Sequence, residues 1–151
     1  MLLTRMLGVA LLGVALGVSA RSFERPLEGS PSSDDLLPAA QAFSLLPIER
    51  DGDTLHLSWN IAPGYYLYRR RIRVEALAPS PLGLRAIRLP PGIAHVDEHF
   101  GAVQIYRGLL DADVPTSGAL DRPLRLRVTY QGCADAGVCY PPQTVVQTIG
   151  R

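Results

Sequence analysis

The chain holds two cysteines, Cys133 and Cys139, and no others. They lie in the run Gln131-Gly132-Cys133-Ala134-Asp135-Ala136-Gly137-Val138-Cys139-Tyr140-Pro141-Pro142. A disulfide needs its Cα atoms within about 7 Å, and a short turn between two paired strands meets that limit. The bridge would close a ring of seven residues, 133–139. Loop entropy makes such a ring worth roughly 2.4 kcal/mol, against about 4.7 kcal/mol for a 100-residue loop. That is a small return from the only thiols in the chain, so redox chemistry stands beside a structural role. Exchange proceeds by attack of a thiolate on a disulfide sulfur through a mixed disulfide. Its rate depends on thiolate fraction and access. The cysteine segment contains Asp135 and no Arg, Lys or His. A nearby carboxylate raises a thiol pKa, so a strongly acidic thiol is not expected. Activation is expected on docking, when a partner supplies the thiolate or reshapes the site.

The compartment follows from the N-terminus. Residues 1–20 have the pattern of a cleaved secretory signal: Arg5, then an apolar run over 6–18, then Val18-Ser19-Ala20 as a small-residue cleavage site. The run is short for a membrane span, which needs about 20 residues. The mature protein is expected to be soluble, in an oxidising space where disulfides form and persist. With no competing thiol, Cys133 and Cys139 are expected to be bonded to each other there.

Composition excludes several function classes. Removing residues 1–20 leaves 14 basic and 14 acidic residues, a net charge near zero. Nucleic-acid binding has no basic excess to rest on. Every basic residue is arginine, which excludes a Schiff-base or P-loop lysine. The remaining length suits one domain, large enough to hold a core without help from disulfides.

The elements that must position the cysteines are nearly all strands. Residues 21–35 carry Pro26, Gly29, Pro31, serines and four acidic residues, the composition of a flexible leader. The ordered domain is expected over 36–151. Residues 54–61 alternate, with Leu55, Leu57, Trp59 and Ile61 on one face. Asp51-Gly52 before them is a turn signal, and Pro63-Gly64 after them is another. Residues 65–77 are predicted to run as one stiff strand, with a break at 79–81 and a short strand over 84–89. Strands over 103–110, 124–130 and 138–149 complete the set. No amphipathic helix is predicted. Short strands separated by turn signals at this density indicate an all-β, antiparallel sandwich.

Three segments carry a resemblance to a known family. They are Pro63-Gly64-Tyr65-Tyr66-Leu67-Tyr68-Arg69; His95-Val96-Asp97-Glu98-His99-Phe100-Gly101 with Ile105-Tyr106-Arg107; and the cysteine segment. In order and spacing the chain resembles the N-terminal periplasmic domain of the thiol:disulfide interchange protein DsbD, from about residue 36 to 149. The resemblance implies an immunoglobulin-like antiparallel β-sandwich. It implies a periplasmic relay domain of the protein-disulfide reductase type. Such a domain takes electrons from a thioredoxin-like donor domain. It passes them to periplasmic disulfide isomerases and to the thioredoxin-like factor of cytochrome c maturation. The family implies Cys139 as the sulfur that bonds to partners and Cys133 as its mate; the residues alone do not rank the two. Complete members continue into a membrane domain and a thioredoxin-like domain; this chain is either a freestanding version or a piece of such a protein, and the expected electron source is a separate membrane protein. No cofactor is implied.

The surrounding residues carry two readings each. Tyr66 and Tyr68 share one face of a strand and either pack or line the cysteine site. Tyr140 follows Cys139 and is expected to frame it. Asp97 and Glu98 are either solvated loop acids or groups that tune the thiol from a shielding loop at 97–101. In the family that loop places an aromatic ring over the disulfide, at the position filled here by His99, with Phe100 next to it. No metal site is expected: His56, His95, His99 and the cysteines lack the close spacing of a usual zinc site. The run Arg69-Arg70-Arg71 reads as a solvated face that blunts an edge strand. The alternative function class is a non-catalytic secreted sandwich that binds a partner and keeps its bridge for stability.

Overall fold

The structure is a computed structural model, and it describes residues 36–77, 83–117 and 123–150. The expected signal segment at 1–20, the leader at 21–35 and the break at 79–81 lie outside the described residues. A single helical turn, α1 (Ala39–Ala42), opens the domain. Twelve strands follow: β1 (Phe43–Leu45), β2 (Glu49–Asp51), β3 (Thr54–Ile61), β4 (Tyr65–Tyr68), β5 (Arg73–Ala76), β6 (Gly83–Leu84), β7 (Ile93–Asp97), β8 (Gly101–Tyr106), β9 (Leu109–Ser117), β10 (Leu124–Tyr130), β11 (Gly132–Ala134) and β12 (Gln143–Ile149).

These strands form three antiparallel sheets. The first has the order β1-β3-β9-β6, with β2 also paired to β3. The second is β12-β10-β5 and the third β11-β4-β8-β7. The alternation read from 54–61 puts Leu55, Leu57, Trp59 and Ile61 into the core, and the run 124–130 does the same with Leu124, Leu126, Val128 and Tyr130. The two faces meet where the Trp59 and Tyr130 rings pack edge to face, centroids 6.0 Å apart. This is the expected antiparallel, immunoglobulin-like sandwich.

The structure corrects several element boundaries. Residues 65–77 are not one strand. A 3-10 turn over Arg69–Arg71 splits them, sending β4 into the third sheet and β5 into the second. Three consecutive arginines have no apolar residue to bury, and the first buried side chain after them is Ile72. The arginines therefore stand at a sheet-switching corner, not along an edge strand. Residues 103–110 divide at Gly108 between β8 and β9. The short strand at 84–89 reduces to β6 and a single bridge, Arg88 to Asp113. The last strand begins at Gln143, because Val138 to Pro142 forms the return limb of the cysteine turn.

β4 is buried along its whole length. Tyr65 and Leu67 point into the main core. Tyr66 and Tyr68 point the other way, into a second, small cluster with Ile105 and Cys133. That second face is where the cysteines sit.

Candidate functional site

The cysteines face each other across a tight hairpin. Ala134 N–H donates to the Val138 carbonyl at 2.8 Å, and Tyr140 N–H to the Gly132 carbonyl at 3.0 Å. Cys133 and Cys139 lie between these bonds, at a non-hydrogen-bonded pair, where opposed strands approach most closely. Their Cα atoms are 4.0 Å apart and their sulfurs are bonded. The three-residue turn 135–137 ends on Gly137 at φ 82°, the left-handed position that such a hairpin needs after a type I turn. The five-residue spacing thus has a geometric reason: one residue on each side of a three-residue turn places the cysteines opposite each other.

The hairpin is docked on β4. Gly132, Cys133 and Ala134 pair with Leu67, Tyr66 and Tyr65, and Asp135 N–H donates to the Gly64 carbonyl at 2.8 Å. A side chain at Gly132 would drive into the Phe43 ring and the Tyr66 backbone, so only glycine allows this approach. Docking makes the two sulfurs unequal. Cys133 is fully buried, and Cys139 is only half-buried. Cys139 opens onto a shallow cleft that it shares with Tyr66, Asp97, His99 and Asp135.

A polar network stands beside the sulfurs. The Tyr68 hydroxyl oxygen lies 3.0 Å from Cys133 Sγ and 3.7 Å from Cys139 Sγ. The Tyr66 and Tyr68 hydroxyls both donate to Asp97 Oδ2, the first at 3.1 Å. Asp97 ends β7, and its Oδ1 accepts the N–H groups of His99 at 2.8 Å and Phe100 at 3.0 Å. One carboxylate therefore holds the 98–100 turn and ties it to the tyrosines next to the bridge. Burial acts to raise the Asp97 pKa, but these four donors outweigh it and hold it at about 2. Burial, then the adjacent carboxylate, pushes the Tyr68 phenol well above its usual value. Tyr66 is raised for the same first reason. At neutral pH the network is two phenols donating to one carboxylate.

The predicted loop at 97–101 is the tip of a β7–β8 hairpin, in which Asp97 pairs with Gly101. Its two candidate covers part company. His99 lines the Cys139 cleft. Phe100 packs edge to face on Tyr68, centroids 5.2 Å apart, under the Arg71 guanidinium at 4.7 Å. Glu98 is exposed at the cleft rim. Tyr140 is not brought to the sulfur cleft: its ring packs on Phe43 and Tyr65 in the main core, and its hydroxyl donates to the Leu37 carbonyl at 2.6 Å. His56 sits on the first sheet, 2.8 Å from Asp113.

Two residues of the site were not singled out by sequence. His95 packs its ring on Tyr66, centroids 5.1 Å apart. Arg107 forks onto Asp135, with Nη2 to Oδ1 at 2.7 Å and Nη1 to Oδ2 at 3.0 Å. The cysteine segment holds no cation of its own, but the fold supplies one from the connection after β8. The only sequence signal for either was membership of the motif segments around residues 95 and 107.

The chain is similar to several known proteins. The family described as the N-terminal part of the thiol:disulfide interchange protein DsbD matches residues 33–150. The chain is 44% identical over 115 residues to that protein from Yersinia pestis, covering 76% of this chain and 18% of the relative. It is 42% identical over 139 residues to the one from Pectobacterium atrosepticum, covering 90% and 23%. The chain thus spans about a fifth of the length of these curated relatives. Among solved structures it is similar to the Neisseria meningitidis DsbD N-terminal domain in the reduced form. The TM-score is 0.73 at 33% identity, covering 80% of this chain and 94% of that one. It is also similar to a chain in the complex between the DsbD and PilB N-terminal domains of that organism. There the TM-score is 0.64 at 33% identity, covering 76% and 87%.

Proposed function

The chain belongs to the family of DsbD N-terminal domains, and from that premise we propose that it is a periplasmic thiol–disulfide relay domain of the protein-disulfide reductase type. The observation that carries the reading is the inequality of the bridge: one sulfur sealed under β4, the other open to a cleft. A thioredoxin-like donor's thiolate attacks Cys139 Sγ, the Cys133–Cys139 bond breaks, and Cys133 leaves as a thiolate. The Tyr68 hydroxyl, 3.0 Å away, turns its one proton from Asp97 to that thiolate. The donor's second thiolate then attacks its own partner sulfur in the mixed disulfide and releases Cys139. The donor ends oxidised, and the domain ends as a dithiol, having taken up two electrons and two protons. In the second half the Cys139 thiolate attacks an acceptor disulfide, and Cys133 displaces the acceptor to restore the bridge.

The donor and acceptors are thioredoxin-like proteins in this reading: a donor domain fed by a membrane protein, disulfide isomerases, and the cytochrome c maturation factor. The relative solved with PilB supports partners of this kind. Residues 1–20 act as the cleaved signal that delivers the domain to the periplasm. His99 and Phe100 shield the network from small oxidants and reductants, and a docked partner displaces them. Asp97, Glu98, Tyr66 and Tyr68 surround the reacting sulfurs.

The test is titration of the purified protein against a glutathione redox series, with a thioredoxin-like domain as second reductant. The relay reading expects reversible reduction of Cys133–Cys139. A bridge that stays oxidised throughout, and resists the thioredoxin-like domain as well, would instead mark a non-catalytic sandwich with a structural disulfide.

A further inference from the structure

Arg107 has no part in the exchange steps above, yet it touches three pieces of the site. It follows the last residue of β8 and precedes Gly108. Its guanidinium makes the bidentate pair with Asp135 in the cysteine turn. Its Nη1 also donates to the Tyr65 carbonyl at 3.3 Å, and its plane lies over the Tyr66 ring at 5.1 Å. Tyr65 and Tyr66 are the β4 residues that pair with Ala134 and Cys133.

The charges around Cys139 explain why such a fork matters. Asp97, Glu98, His95 and His99 face the cleft from the β7–β8 hairpin, and Asp135 faces it from the cysteine turn. Tyr66 and Tyr68 stay protonated beside the sulfurs. Three carboxylates therefore surround a sulfur that must carry negative charge when the bridge is open. Asp97 is already engaged by four donors, and Glu98 is solvated at the rim. Asp135 is the carboxylate carried by the cysteine turn itself, and Arg107 is the cation bonded to it.

We propose that Arg107 is a positioning residue for Cys139: it pins the cysteine turn to β4 and cancels the Asp135 charge, so that an opened Cys139 can exist as a thiolate. This rests on the exchange reading of the cysteine pair. A bidentate fork is specific to arginine, while charge cancellation is open to lysine as well.

The experiment uses the whole protein, reduced with dithiothreitol and freed of it. The rate of Cys139 alkylation by iodoacetamide is followed against pH by peptide mass. Arg107→Ala is expected to move the profile to higher pH and slow alkylation at pH 7 by about threefold, a screened charge effect of about half a pH unit. Asp135→Asn leaves the guanidinium unopposed and is expected to move the profile to lower pH. The double variant returns close to the parent, and Arg107→Lys keeps most of the parent profile. Shifts of Arg107→Ala and Asp135→Asn in the same direction would mean that both merely loosen the turn, and would overturn the proposal. So would an unshifted profile in folded Arg107→Ala. Should that variant fail to fold, Asp135→Asn decides alone: a profile unmoved or raised overturns the idea. Alkylation needs no protein partner, so loss of partner transfer with these shifts intact would count against the relay and not against Arg107.

Discussion

The two faces of β4 are buried almost equally, yet they do different work. On one side Tyr65 and Leu67 are 7% and 0% exposed, on the other Tyr66 and Tyr68 are 6% and 2%. The first pair joins a broad apolar core that runs from Ala42 to Ile149. The second pair belongs to a cluster of four buried residues and donates both hydroxyls to a carboxylate, the Tyr68 oxygen lying beside both sulfurs. The contrast teaches that burial here serves two ends. On the core face it supplies stability. On the sulfur face it also fixes polar groups beside the bridge.

If that division holds, damage to the two faces should separate stability from exchange. The largest stability loss is expected from Trp59→Ala, at about 3–5 kcal/mol by urea denaturation. Trp59 is fully buried, and its indole nitrogen has no hydrogen-bond partner among the described residues, so the loss is one of packing. The folded fraction should exchange thiols at the parent rate. A lost rate in that folded fraction would mean the faces are coupled.

Replacing Cys133 and Cys139 together by Ala should cost about 2–3 kcal/mol at most, from the short ring. All exchange should vanish from a protein that still folds. Complete unfolding at room temperature would move the cysteines into the stabilising half of the comparison.

Asp97 comes next. Its folded pKa of about 2 lies below the ordinary 3.8. A depressed carboxylate stabilises the fold above its unfolded pKa and loses that contribution as pH falls through the folded one. Asp97 should therefore contribute on the order of 2 kcal/mol at pH 7, lost between about pH 4 and pH 2. Urea midpoints measured across that window should fall more steeply for the parent than for Asp97→Asn. Parallel slopes would contradict the ionised clamp.

The smallest stability effect is expected from His99→Ala with Phe100→Ala, since both side chains are exposed. Reduction of the bridge by dithiothreitol should speed up, while transfer with a docked thioredoxin-like partner changes less. Because His99 lines the Cys139 cleft and Phe100 covers Tyr68, the single variants should differ. Unchanged small-thiol kinetics in the folded double variant would remove the shielding role.

What could be read from sequence follows the same division. β3 and β10 were legible residue for residue, because each buries one strict alternating face in a large core. β9 was read only at its start. Its inward residues beyond Leu110 are Ala112, Val114 and Thr116, a weak apolar signal interrupted by Pro115. β7 went unread because Ile93 and Val96 are exposed at 56% and 81%, so no buried face marks it. The cysteine pair and the two tyrosines were legible from a short motif. The Arg107–Asp135 fork was not, since the partners are 28 residues apart and only the pairing of β11 with β4, and β4 with β8, brings them together.

The bridge spans a single hairpin, and this locality sets a thermodynamic limit on the couple. Whatever ring closure adds to folding, folding must add to the oxidised form, because both are legs of one cycle. A ring worth roughly 2.4 kcal/mol corresponds to about 50 mV for a two-electron couple. Tertiary structure therefore lowers the reduction potential of Cys133–Cys139 only slightly through ring closure. A bridge joining two of the sheets would close a longer ring, be driven further toward the oxidised state and resist a reductant more strongly. Ring closure holds a local one less firmly in the oxidised state.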